Sequence, residues 1–338
     1  MIQCSYHIGE GVYMLKIGIL GAGAMGSLVG AYLKKGGGEV YFIDIFEEHM
    51  KAVRENGLEI AIETEPAPHV VFVDGAVTDG NDVGTCDVVI VLVKIVDIDT
   101  AIEANRTLFG KDTIVITLQN GVGAADVLAK YFDKDHLGLG VLKSSANILG
   151  PGRIIGRLKF ADSPKGVYFS PVNLETPYRH IYDELEKLWC DGGMPAECSD
   201  RTEEFIWSKL CDNVMLNGIA ALLQTANEDN SGHPDGWLLM RELLREACEV
   251  ALAKGIEIDF SHFWKDRSDR IYDRNRVKAF HFVSAVFDSC QKRKTEIDYI
   301  NGAVVREGKK YGIPTPYNET IWRLVRVMQD TYDYKYKG

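Results

Sequence analysis

The sequence predicts an α/β chain: a doubly wound, mostly parallel sheet with helices on both faces, followed by a domain built of helices alone. Three observations predict it. Short runs rich in Val and Ile alternate with helical stretches over the first half. Such runs mark strands covered on both faces, and their alternation with helices implies right-handed parallel crossovers. After about residue 175 strand signals nearly vanish and long amphipathic stretches such as "TPYRHIYDELEKLWCDGG" take over.

The elements follow in order. The first 13 residues, "MIQCSYHIGEGVY", lack the basic start and apolar stretch of a signal peptide and read as an extension before Met14. "LKIGILGAGAMGSLVGAYLKK" reads as strand, glycine turn and helix, and "GGGEVYFID" as a turn and second strand. "CDVVIVLVK" and "DTIVITLQNG" are further strands, separated by the helical "DIDTAIEANRTLF" and followed by the helical "AADVLAKYF". The division between domains is expected within residues 171–200, and is set at 185/186, giving a nucleotide-type domain 14–185 and a helical domain 186–338.

Composition narrows the function. The 338 residues suffice for two cores, and 46% hydrophobic with 26% charged residues is ordinary for a globular chain. A formal charge of −11 disfavours nucleic acid or an anionic membrane as partner, because phosphate binding needs clustered Lys and Arg. The seven cysteines contain no C-x-x-C pair, so a reducing cytoplasm is expected, with neither a disulfide framework nor a structural metal. No apolar run approaches the roughly 20 residues that span a bilayer. The eight histidines show no metal spacing and read as surface or core residues.

Chemistry enters at "GAGAMG", Gly21–Ala22–Gly23–Ala24–Met25–Gly26. This G-x-G-x-x-G follows a strand and opens a helix, the context of a Rossmann dinucleotide site. The first glycine makes the tight turn, the second admits the pyrophosphate at the helix N-terminus, and the third lets helix and strand pack closely. Asp44 ends the second strand about 20 residues further on, where a carboxylate accepts hydrogen bonds from the adenosine ribose. With Glu47 and Glu48 beside it, Asp44 would repel a 2′-phosphate, which points to NADH. The plainer reading of Asp44 is a strand-end cap for the next helix.

Lys94 and Asn120 end the third and fourth strands, on the carboxyl edge where open α/β sheets bind ligands. Against this stand a solvated strand end for Lys94 and a simple Asn-Gly turn for Asn120. "EFIWSKLCDNVMLNGIAALLQ" places Lys209, Asn213 and Asn217 in one stripe along an otherwise apolar helix, about 34 Å long if residues 202–224 are all helical. Hydride transfer to a carbonyl needs a proton and donors for the developing oxyanion, which a partly buried lysine with flanking asparagines can supply. The alternative is a snorkelling lysine with asparagines along an interhelix seam. Ser284 and Asp288 stand one helical turn apart, and Glu296 opens a helix whose Ile297, Ile300 and Val304 face the core.

Together, "GILGAGAMGSLVGAYL", "LVK", "LQNGVG", "WSKLCDNVMLNGIAAL" and "KTEIDYINGAVVREGKKYGIPTP" resemble the ketopantoate reductase (2-dehydropantoate 2-reductase) family, from about residue 14 to 325. The resemblance implies a Rossmann domain joined to a helical domain like that of 6-phosphogluconate dehydrogenase, a place in pantothenate biosynthesis, and NADPH as the usual cofactor. It implies Lys209 as the lysine that protonates the ketone oxygen, and Asn213, Asn217 and Asn227 as substrate contacts. Ser284 matches a contact to the substrate carboxylate, and Glu296 a group binding substrate hydroxyl or cofactor. Asn120 matches a residue touching cofactor and substrate, and Lys94 a nearby site lysine. Two departures stand out: Asp44 replaces the family's usual basic residue, and Gln291 with Lys292 replaces a glycine-bearing pattern. The implied partner is a small branched 2-oxo acid, with a homodimer as an allowed assembly.

Two other classes compete with a reductase. A non-catalytic NAD(P)-binding redox sensor would need no proton donor. An opine-type dehydrogenase would be expected to use a histidine-based relay, which the sequence does not display.

Overall fold

The computed structural model describes residues 14–158, 165–271 and 282–334; the expected N-terminal extension lies outside them. Its strands are β1 (Lys16–Leu20), β2 (Glu39–Ile43), β3 (Leu58–Ile62), β4 (His69–Val71), β5 (Gly75–Val77), β6 (Cys86–Val91), β7 (Phe109–Thr117), β8 (Leu137–Leu142), β9 (Ser145–Gly150), β10 (Arg153–Arg157), β11 (Val167–Pro171) and β12 (Ala196–Cys198).

The main sheet has the order β12-β11-β8-β7-β6-β1-β2-β5. From β8 to β5 every pairing is parallel, and β11 runs antiparallel to β8. The apolar runs behave as expected: Val88 to Val91 and Ile114 to Ile116 are fully buried between layers of helix. The chain leaves β1 toward β2 and β5, then returns to place β6 on the other side of β1. The order therefore reverses between β1 and β6, and the carboxyl ends of those strands frame the crevice where such sheets bind ligands.

A second sheet, β4-β3-β10-β9, packs beside helix Ala24–Lys35. It was not expected. Its signal is an alternation, Leu58, Ile60 and Ile62 buried on one side of β3, which a search for continuous apolar runs passes over.

The helical domain is built around helix Thr202–Leu223, whose Trp207, Leu210, Cys211, Val214 and Met215 are buried. Helices Pro234–Ala253, Ser284–Cys290 and Pro316–Asp330 pack against it. Buried Glu246 accepts hydrogen bonds from the backbone N–H groups of Tyr317 and Asn318 and from Asn318 Nδ2, each at 2.9 Å. One carboxylate thus satisfies donors at the start of the last long helix that would otherwise be stranded.

The expected division at 185/186 falls inside helix Arg179–Gly192, which packs on helix Ala24–Lys35. β12 then joins the main sheet beside β11. The layers of the first domain therefore continue to residue 198, because a strand only three residues long gives too little pattern to read in sequence.

Candidate active site

The glycine turn has the three expected properties. Gly21 has φ +98°, and a Cβ there would lie 2.3 Å from the backbone nitrogen of Val93; only glycine fits both. A Cβ on Gly26 would meet Gly21 O at 2.1 Å, so its absence permits the helix to sit on the turn. A Cβ on Gly23 would meet nothing within 4 Å. That open approach lies at the N-terminus of helix Ala24–Lys35, whose first turn, with Ala24 and Met25, carries no acidic residue. The donors and the space suit a pyrophosphate.

Asp44 stands where the second strand ends. Its Oδ1 accepts the N–H of Phe46 at 2.9 Å, and burial pushes its carboxyl above the usual range. It does not cap the next helix, Glu47–Asn56, whose N-cap is Phe46. Glu47 and Glu48 are exposed on the following turn, while Arg54 is drawn away to Ala76 O at 2.8 Å. His49 is a core histidine: its Nδ1 accepts the Gly152 N–H at 3.0 Å, so Nε2 carries the proton toward Ser27 Oγ. Burial lowers its pKa and favours that neutral form.

The reacting end is assembled where the two domains meet. The start of helix Thr202–Leu223 docks on the edge of the sheet through Phe205, stacked on Tyr168 with ring centroids 3.7 Å apart. One turn later Lys209 Nζ donates to Leu142 O, at the end of β8, at 2.7 Å. A second seam joins the loop after β7 to the segment after Glu296. Gly121 has φ +92°, its Cβ would strike Tyr299 O at 2.2 Å, and Val122 N–H donates to that same oxygen at 2.9 Å. This contact brings Asn120 into hydrogen-bonding reach of Glu296.

A small crevice, partly open to solvent, is lined by Asn217, Ser284, Ala285, Asp288, Thr295, Glu296, Ile297 and Ile300. Glu296 is half-buried on its wall, and burial, with the repulsion of Asp288, pushes its carboxyl up to about 7 despite the attraction of Lys94 and Lys209 and the hydrogen bond from Asn120. Asn213 Nδ2, Asn217 Oδ1 and Asn227 Oδ1 are buried and have no hydrogen-bond partner among the described residues. A ligand's polar groups would satisfy them, since buried polar atoms are rarely left unpaired.

Most expected residues thus converge. Asn217, Ser284 and Glu296 line the crevice, Asn120 bonds Glu296, and Lys94 and Lys209 act on it electrostatically. Asn213 lies one helical turn from both Lys209 and Asn217, on the same helix, but it and Asn227 are not part of the crevice wall. Asn227 begins the short helix Asn227–Ser231. Sequence reasoning missed Asp288 as a site residue, although its spacing from Ser284 pointed to it; it lines the crevice and pairs with Lys94. Thr295 and Ala285 carried no separate signal, while Ile297 and Ile300, expected to face the core, are buried and also form part of the crevice wall. Among the described residues no cluster of His, Cys, Asp or Glu could hold a metal ion, and no helix is long and apolar enough to cross a membrane.

Comparison with known proteins identifies the family and the fold. The family model described as ketopantoate reductase PanE/ApbA matches residues 17–172, and that for the C-terminal part of the same family matches residues 202–329. The 2-dehydropantoate 2-reductase of Lactococcus lactis subsp. lactis (strain IL1403) is 30% identical over 321 residues, spanning 94% of this chain and 98% of the relative. Among solved structures, D-mandelate dehydrogenase with NADH and anilino(oxo)acetate superposes with a TM-score of 0.79 at 27% identity, over 94% of this chain and 99% of the other. A PanE/ApbA family ketopantoate reductase from Ralstonia eutropha JMP134 gives a TM-score of 0.78 at 27% identity, over 94% and 100%.

Proposed function

The chain belongs to the ketopantoate reductase family, and from that premise we propose that it reduces 2-dehydropantoate, or a similar branched 2-oxo acid, to the 2-hydroxy acid with Lys209 as proton donor. It is a nicotinamide-dependent oxidoreductase of the type acting on CH–OH groups. The observation that carries the site assignment is the stripe of helix Thr202–Leu223. Lys209 is held at the domain seam, and the unsatisfied amides of Asn213 and Asn217 follow on the same face.

When bound, a reduced nicotinamide would supply the hydride for the carbonyl carbon. The ammonium of Lys209 gives its proton to the carbonyl oxygen, so no free alkoxide has to persist, and the lysine recovers a proton from solvent. Asn213 and Asn217 orient the carbonyl and carboxylate of the substrate, with Asn227 as a third contact. Ser284, on the crevice wall, suits the substrate carboxylate. Glu296, protonated below about pH 7, can then donate a hydrogen bond to a substrate hydroxyl, and Asn120 holds it in place. A redox sensor has no use for this arrangement, and among the described residues no histidine lines the crevice to serve an opine-type relay.

For the cofactor, the Gly21–Gly26 turn would take the pyrophosphate, and Lys94 follows the Leu92–Val93 segment that abuts Gly21. Asp44, the exposed Glu47 and Glu48, and the diversion of Arg54 to Ala76 O support NADH over NADPH. The proposal includes a homodimer, supported by the exposed Leu324 and Val327 on the last long helix; light scattering of the purified protein tests it.

A second substrate reading comes from the structural neighbour whose name specifies mandelate, an aromatic 2-hydroxy acid. The apolar wall of Ala285, Ile297 and Ile300 would accept an aromatic side chain as readily as a branched one. Following NADH and NADPH absorbance with purified protein and a panel of 2-oxo acids decides among these readings. The panel includes 2-dehydropantoate and an aryl 2-oxo acid. No turnover with any member would overturn the reductase reading.

A further inference from the structure

We propose that Asp288 is a positioning residue that ties the cofactor turn to the substrate crevice through Lys94. The proposal rests on the reductase reading above and names a device by which that site couples its two ligands.

Asp288 lines the crevice on helix Ser284–Cys290, with its side chain 6% exposed. Its Oδ1 lies 2.6 Å from Lys94 Nζ, and Lys94 Nζ also donates to Lys294 O at 3.0 Å. The lysine therefore leaves the first domain and is gripped at two points by the second. At its base, Lys94 follows directly on Val93, whose backbone nitrogen abuts Gly21, and on Leu92, whose N–H donates to Leu20 O. Any displacement of this loop presses on the turn that would cradle the pyrophosphate. Asp288 thus meets the substrate on one side and, through one lysine, the cofactor turn on the other.

Asp288 does not need Lys94 as its own counter-ion, although Lys94 also attracts the neighbouring Glu296. Arg293 already neutralises Asp288, with Nε at 3.0 Å and Nη2 at 2.9 Å from Oδ1. Recruiting a second cation from another domain costs further desolvation and adds little to the stability of the helical domain itself. What it adds is a fixed distance between the two half-sites. A site held in this way binds the second ligand with less ordering left to do once the first is in place.

The test measures binding as well as turnover. The dissociation constant of NADH, or of NADPH if that is the cofactor used, is read from nicotinamide fluorescence with and without saturating pantoate, a pair that cannot react. In the wild type pantoate should tighten cofactor binding on the order of tenfold. In Asp288→Asn this coupling should fall to within about twofold of none. The KM for the 2-oxo acid should rise on the order of tenfold while kcat stays within about threefold.

Lys94→Met should lose the same coupling, and the double variant should be no worse than the poorer single one. Asp288→Glu should recover part of it. Arg293→Gln removes the other partner and should leave the coupling in place. Coupling retained in Lys94→Met, absent from the wild type, or lost equally in Arg293→Gln would overturn the proposal. A wild type that binds both ligands with coupling but reduces no 2-oxo acid would instead overturn the reductase reading.

Discussion

The ammonium of Lys209 lies 2.7 Å from the carbonyl oxygen of Leu142, a hydrogen bond that crosses from the helical domain to the end of a strand in the sheet. The carbonyl fixes the lysine head at the seam, where the proposed reaction would bring a substrate oxygen.

Lys209→Ala should reduce kcat on the order of 10²–10⁴-fold with the fold intact. Lys209→Arg should be nearly as poor, since a guanidinium keeps its proton. Steady-state kinetics with circular dichroism as the folding control checks this, and near-native turnover in a folded alanine variant would refute the assignment.

Glu296 should govern the alkaline side of the pH profile. Its folded pKa of about 7 lies above the ordinary 4.5. Between those values the native state holds the proton that the unfolded chain has released. Stability from this group is therefore full below about 4.5, falls as pH rises, and is lost above about 7. The expected span is a few kcal/mol. Thermal unfolding of Glu296→Gln against wild type from pH 4.5 to 8 should show the wild type losing ground as pH rises. If the neutral acid serves the substrate, kcat/KM should decline above about 7 in the wild type, and the decline should flatten in Glu296→Gln.

Gly121→Ala should be costly because it combines a left-handed backbone with a collision against Tyr299 O, and roughly 2–4 kcal/mol is expected. Gly84 has φ +72° but open space around it, so Gly84→Ala should cost about 1 kcal/mol. Urea unfolding of both variants separates backbone strain from loss of the seam. Equal costs would show that the domain contact contributes little.

Asp44→Ala should narrow a preference for NADH. A 2′-phosphate brings roughly −1.5 to −2 charge, taking other phosphate monoesters as the guide, into a patch of Asp44, Glu47 and Glu48. About 1.4 kcal/mol of unfavourable contact changes affinity tenfold. The comparison is kcat/KM for NADH and NADPH in both proteins; a wild-type preference for NADPH that survives the substitution would reverse the cofactor reading.

Removing the Glu246 carboxylate should destabilise the helical domain. Glu246→Ala leaves the buried Asn318 and the partly exposed Tyr317 backbone donors without their carboxylate partner, and roughly 1–3 kcal/mol is expected. A fall in Tm without a change in KM would be the signature; an unchanged Tm would show that water replaces the carboxylate.

Much of the site was legible because its signals are local. The glycine turn depends on neighbours a few residues apart, and the Lys209, Asn213 and Asn217 stripe follows from helical pitch alone. Lys94 with Asp288, and Asn120 with Glu296, are pairs of a different kind. Each joins residues more than 170 positions apart, and no periodicity connects such distant points. Asn227 was named through family resemblance and shows only an unsatisfied Oδ1 outside the crevice wall. The lysine at position 292 adopts φ +54°, which gives a physical reason why a glycine would be at home there.

By itself the sequence determined the class of fold, the dinucleotide turn and the polar stripe, because hydrophobic periodicity and glycine geometry act over one or two turns of chain. Only the tertiary structure decided where the first domain ends, that a second sheet flanks it, and which side chains meet across the seam. Those outcomes depend on how two cores settle against each other through Gly121 and Tyr299, Lys209 and Leu142, and Lys94 and Asp288. Contacts of that kind are made by packing after the local elements exist, and packing is not written in any short stretch of residues.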